Sequence, residues 1–188
     1  MPELNAAGDV VLTDPRGMRA LADASRLELH DALRRAGSAT VDDLAALLGS
    51  RPKEIAGHLE ALEEVGLVER AESGEQTTWA AVGRGIFFEI PEDADGQRAA
   101  RDLSNAMFLQ YADLPRQWVS EDEHRLTVDW ARAAGLLGAR FLVTPGELRD
   151  IQSKFEAALE PYLTREPEDV PGSASHVRLL GYFMPEPG

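Results

Sequence analysis

The chain contains no cysteine. Disulfides, thiolate metal sites and a cysteine nucleophile are excluded, and the absence fits a reducing compartment. No apolar run approaches the roughly 20 residues that a membrane helix needs. Residues 1–17 have neither a basic start nor a long apolar stretch, so no secretory signal is read there. These absences lead to the expectation of a soluble, cytoplasmic protein without a membrane partner. Positive charge is also scarce. Nineteen Lys and Arg face 33 Asp and Glu, for a net charge of -14. The deficit is spread along the chain, with nine basic against thirteen acidic residues over 14–84 and ten against eighteen from 85 onward. Acidity favours solubility and disfavours nonspecific binding to a phosphate backbone.

Recognisable chemistry is missing too. The four histidines, His30, His58, His124 and His176, are scattered and form no H-x-x-x-H or H-E-x-x-H spacing. No metal site and no cofactor are therefore expected. There is no G-x-S-x-G, no phosphate-binding loop and no G-x-G-x-x-G. The carboxylate groups Asp42 and Asp43, Glu63 and Glu64, and Glu121 to Glu123 fall at helix starts or on charged faces. They read as solvated surface, and no enzyme activity is expected.

What the chain does have is patterning. Hydrophobic residues make up 44% of its 188 positions, enough for a core. Asp14 followed by Pro15 marks a helix start, and Met18, Leu21 and Ala22 follow at helical spacing. Asp23 opens a second helix whose inner face carries Leu27, His30 and Leu33. Thr40 with Asp43 has the form of a capping box, ahead of Leu44, Leu47 and Leu48. Gly49 makes a tight turn, Pro52 opens the next helix, and Ile55, Leu59, Leu62 and Val65 form its stripe. Leu67 and Val68 begin a strand, Ser73 and Gly74 a turn, and residues 77–82 a second strand. Two short helices, a tight turn and a hairpin are the outline of a winged helix-turn-helix, a unit that places one helix in the DNA major groove.

Further along, short strands are read at 10–12 and 86–90, and 91–96 reads as a turn-rich linker. A long helix over 94–118 supplies Leu103, Met107, Leu109, Tyr111 and Leu114 as inward positions, with Pro115 bending or ending it. Leu126, Val128 and Trp130 alternate as a strand does. Residues 140–143 and 177–184 read as apolar strands. Between them Thr144 and Glu147 form a capping box, opening a helix with Leu148, Ile151, Phe155 and Leu159. Trp118, Trp130, Met107, Phe108 and Tyr111 are either core and interface residues or the lining of an effector pocket.

Ala22 to Leu27, Leu44 to Gly49, His58 with Leu59, and Gly66 to Val68 together resemble ArsR-type winged helix-turn-helix regulators. Trp79, the stretch Asp129, Trp130 and Ala131, residues 142–147, and 177–180 narrow the likeness to an actinobacterial-like subgroup with an added C-terminal region. The resemblance implies a homodimer on a two-fold DNA site, with recognition helix 51–64. Its exposed positions would be Arg51, Lys53, Glu54, Gly57 and His58, with His58 either donating to phosphate or packing between helices. The wing tip, Glu72 to Gln76, carries no Arg or Lys.

The expected fold is mainly α (α+β). A winged helix-turn-helix domain at 1–90 is followed by a C-terminal helical region with a small antiparallel sheet at 91–188, which dimerises. Double-stranded DNA and a second copy are the expected partners, with room for a small-molecule effector. The competing reading is a winged-helix protein-interaction module with little DNA affinity.

Overall fold

A computed structural model describes residues 3–5, 8–73 and 76–186. The chain divides into two compact units, Met1–Gln117 and Trp118–Gly188.

In the first unit α1 (Pro15–Leu21), α2 (Ala24–Ala36), α3 (Val41–Leu48) and α4 (Pro52–Glu63) precede the wing strands β2 (Val68–Ser73) and β3 (Gln76–Ala81). Local chemistry sets each boundary. The Asp14 and Asp23 carboxylates accept the first free backbone N–H groups of α1 and α2. Thr40 and Asp43 form the reciprocal box at α3, with the Asp43 N–H donating to Thr40 Oγ1 at 3.2 Å and the Thr40 N–H to Asp43 at 3.1 Å. Gly49 ends α3 at φ 64°, left-handed backbone that a side chain would strain.

The wing is antiparallel, from Val68 opposite Ala81 to Ser73 opposite Gln76. Its expected tip turn includes Gly74, which with Glu75 lies outside the described residues. Ala39 and Trp79 exchange backbone hydrogen bonds at 2.8 and 3.0 Å, so the α2–α3 connection bridges to the outer edge of β3. Two further strands close the unit: β1 (Val10–Leu12) pairs in parallel with β4 (Ile86–Phe88). The start of the chain is thus tied to the segment after the wing, and Val10 and Leu12 are buried.

The core gathers Met18, Leu21, Leu29, Leu33, Leu44, Ile55, Leu59, Leu62 and Leu67, each essentially inaccessible. Helical spacing predicted the helical residues of this face apart from Leu29, which it did not place inside, and it failed in the other direction at one residue. Leu47, expected inside, is 63% exposed. α3 is only eight residues long, so its inner stripe is narrow and is filled by Leu44 and Ala45 with Leu48 at its margin.

The long helix is α5 (Ala94–Tyr111), and it belongs to the first unit. Ala99, Ala100 and Leu103 are buried, and Arg19 of α1 pairs with Asp95 at 2.5 Å. The division expected after residue 90 therefore falls inside this unit, because α5 completes its core. The helix stops before Pro115, and α6 (Leu114–Gln117) restarts around that proline. Of the inward positions expected on the long helix only Leu103 is buried, and Leu109 points outward.

The second unit holds a π-helical turn (Trp118–Asp122), two 3-10 turns (Glu123–Arg125 and Pro167–Asp169), α7 (Val128–Ala133) and α8 (Pro145–Leu163). The Thr144–Glu147 box opens α8 as its sequence predicts. Thr127 caps α7, so Val128 and Trp130 lie on a helix, and their alternation does not make a strand. Among the described residues of this unit no strand forms. Residues 140–143 and 177–184, expected as strands, form neither a helix nor a ladder. A strand exists only against a neighbour, and this chain alone supplies none there. The mainly α reading holds, and among the described residues the antiparallel sheet is the wing, with single antiparallel bridges at Leu4–Val10 and Ala39–Trp79. Among the described residues no helix is long and apolar enough to cross a membrane.

Candidate nucleic-acid interface

α4 is presented by its own burial pattern. Ile55, Leu59 and Leu62 anchor one side in the core, leaving Arg51, Lys53, Glu54 and Gly57 exposed on the other. His58 is half-buried at the edge of that surface. The five residues singled out in the sequence thus share the first two turns of one helix, four on the open face and one at its margin.

Arg51 occupies the position before Pro52 and has the extended backbone of a cap. A guanidinium has no acceptor, so the box at this end is one-sided. The Arg51 N–H donates to Glu54 at 3.3 Å, while the N–H groups at the helix start receive no cap from the Arg51 side chain. Pro52 has no N–H and the Glu54 N–H donates to the Arg51 carbonyl at 2.9 Å, so the open donor at this helix start is the Lys53 N–H, which suits a phosphate. The Arg51 guanidinium also ion-pairs with the Glu54 carboxylate. That hydrogen bond holds the Glu54 carboxyl below its ordinary range and raises Arg51 above its own. Lys53 has no ion pair among the described residues.

Most other basic groups of this unit are committed internally. Arg16 pairs with Asp14, Arg19 with Asp95, and Arg34 and Arg35 with Asp31. Arg26 donates to the Ala20 carbonyl. Arg70, on the wing, donates to Glu63 through Nε at 2.7 Å and lies over the Trp79 ring at 5.2 Å. Sequence reading missed this last arrangement. The signal was the Arg at 70 between a Glu at the end of α4 and a Trp on the next strand.

Gly57 sits in the middle of α4, where glycine costs about 0.5–1 kcal/mol relative to alanine. A Cβ built there would meet nothing within 4 Å. No internal contact requires glycine. Gly57→Ala should therefore raise stability by about 0.5–1 kcal/mol in urea unfolding. If a partner's surface closes on the helix at this point, the same variant should bind that partner more weakly.

Two open hollows, each of about 420 Å³, flank the helices. One lies between the α1–α2 junction and α5, with Asp102, Asn105 and Leu109 in its wall. The other is lined by Arg16, Arg19 and Arg26 together with Ala61, Glu64 and Val65. Trp118, Trp130, Met107, Phe108 and Tyr111, weighed above as a pocket, line neither. Among the described residues no three His, Asp or Glu gather as metal ligands would.

A protein-family description, HVO_A0114, matches residues 21–82. The chain is also similar to solved structures. A homodimeric winged helix-turn-helix DNA-binding domain from Mycobacterium bovis, described as a possible ArsR-family transcriptional regulator, is 24% identical, over 50% of this chain and 74% of that one, with a TM-score of 0.35. The antimony-specific transcriptional repressor AntR is 27% identical over 50% and 72%, with a TM-score of 0.34. An ArsR-like transcriptional regulator from Rhodococcus sp. RHA1 is 27% identical over 55% and 88%, with a TM-score of 0.32. No curated protein matches the chain.

Proposed function

We propose that this chain is a DNA-binding transcriptional regulator of the cytoplasm, not an enzyme, and that it acts as a homodimer on a two-fold site with α4 in the major groove. The observation that carries the reading is the open face of α4. A buried stripe fixes the helix, and its uncapped start, Arg51, Lys53 and the bare backbone at Gly57 are left facing outward. Such a face suits base and phosphate contact. In a dimer, the two reading helices would sit about one DNA turn, roughly 34 Å, apart.

A second reading is favoured by charge. The first unit carries twelve basic and twenty-one acidic residues, and most of its arginines are paired. A winged helix of that kind could serve as a protein-interaction module. Binding to duplexes from the gene's own upstream region, measured from low to moderate salt against random DNA, separates the two. A regulator with two to four phosphate-reaching cations per subunit should show a slope of log affinity against log salt on the order of -4 to -7. Random DNA should bind poorly. Equal affinity for random and candidate duplexes, or no binding at low salt, would refute the regulator reading.

A further inference from the structure

Among the described residues all nineteen buried hydrophobic side chains lie between Val10 and Leu103. The second unit has none among its described residues, yet sixteen of its large apolar side chains are exposed, against six in the first unit. Leu137 and Leu142 are almost wholly in solvent, and Leu136, Val177 and Met184 are more than 70% exposed. The stripe predicted for α8 is formed but open, with Phe155 exposed and Leu148, Ile151 and Leu159 only half-covered. A unit of this size without a core does not hold itself together.

We propose that a second copy of this chain completes the second unit, with residues 140–143 and 177–180 of the two protomers pairing as strands over the apolar faces of both α8 helices. This rests on the homodimer in the functional reading above and places part of its interface. Three observations choose a second copy as the occupant. The first is area. The exposed apolar side chains amount to on the order of 1,500 Å² per chain, and a stable interface needs about 800 Å² per partner. The second is shape. Among the described residues neither segment lies in a helix or has a ladder partner, so the backbone groups of both are open to pairing, and Arg140 pairs with Glu186 at 2.6 Å. Open strand edges of one chain complement the same edges of its copy about a two-fold axis. The third is charge. Arg140 and Arg178 are the only ionisable residues in the two segments, and Arg140 is neutralised by Glu186. Like-charge repulsion at the joined edges is therefore small.

The test uses the full chain. Sedimentation should show a dimer at micromolar concentration. Leu142→Asp combined with Leu179→Asp should raise the dissociation constant at least a hundredfold, while Leu142→Ile with Leu179→Ile keeps the dimer. Persistence of the dimer in the aspartate variant, with native helicity, overturns the proposal and leaves dimerisation through another surface standing. A monomeric wild type overturns both the proposal and the homodimer reading. If the aspartate variant fails to fold, amide exchange on the wild type decides. Amides of 140–143 and 177–180 should be protected in the dimer and lose protection on dilution. Rapid exchange at all concentrations, or protection that appears only with DNA or another added partner, overturns the proposal.

Discussion

Alanine at both Arg51 and Lys53 is expected to weaken operator binding at least tenfold and to blunt the preference for operator over random duplex. The two side chains differ in what they must give up. Lys53 is exposed without an ion pair among the described residues, so it can reach a phosphate at little cost. Arg51 is held by Glu54, and a guanine edge must replace that carboxylate. The exchange is feasible because the pair is exposed, and exposed pairs are worth little. A bidentate guanine contact is worth about 1–3 kcal/mol of discrimination. The single variants should therefore separate. Lys53→Ala should lower affinity for every sequence alike and reduce the salt slope by about one per phosphate lost. Arg51→Ala should act mainly on specificity. Glu54→Gln, which removes the competing charge, should strengthen binding to random DNA. Fluorescence anisotropy on operator and random duplexes measures all four variants. Unchanged operator binding by a folded double variant would refute the assignment of this face.

The reading helix was legible because its signals are local. A proline at its first position, a glycine before it and a stripe of Ile55, Leu59 and Leu62 need no knowledge of the rest of the chain. The same holds for the Thr40 and Thr144 boxes. What could not be read depends on neighbours distant in sequence. The parallel pairing of β1 with β4 joins residues some seventy-five apart, and only the fold shows that the first strand is sewn into the unit. The association of α5 with α1 moves the boundary between units for the same reason. Spacing marked an apolar face on α5, but spacing does not say which face of which helix will cover it. The expected C-terminal strands fail in a more instructive way. Their composition suits strands, yet strand character belongs to a pair, and this chain alone brings no ladder partner to either segment. Charge misled in a similar manner. A count of basic residues treats Arg70 and Lys53 as equal, whereas the structure commits Arg70 to Glu63 and Trp79 and leaves Lys53 without an ion pair among the described residues.

Acidification from pH 7.5 to 5 is expected to cost about 2 kcal/mol of folding stability, and His30→Leu should abolish most of that loss. His30 stands on the apolar face of α2 beside Leu27 and Leu33, only 2% exposed, and its Nε2 has no hydrogen-bond partner. Burial pushes its pKa down to about 4, helped by the Arg34 charge, while Asp31 and a hydrogen bond to the Leu67 carbonyl oppose the shift. The folded pKa thus lies below the ordinary value of 6.5. The stabilisation is complete above that value, where both states hold a neutral ring. It is lost as pH falls from 6.5 towards 4, because the unfolded chain takes up a proton that the folded one refuses. At the acid limit the loss is on the order of 3 kcal/mol. The paired carboxylates Asp14, Asp43, Glu54, Glu63, Asp95 and Glu147 are all lowered from values of 4.5 or less. Their contributions fade at lower pH, so the interval from 6.5 to 5 isolates His30. The location gives the effect a functional reach. The Leu67 carbonyl that faces His30 also accepts the Val82 N–H at 3.0 Å, so His30 abuts the root of the wing where it joins α4. Expelling a charged ring from this site would loosen the wing before the rest of the core. Urea midpoints at pH 7.5, 6 and 5 for the wild type and His30→Leu measure the difference. Parallel pH profiles for the two proteins would show that His30 does not carry it.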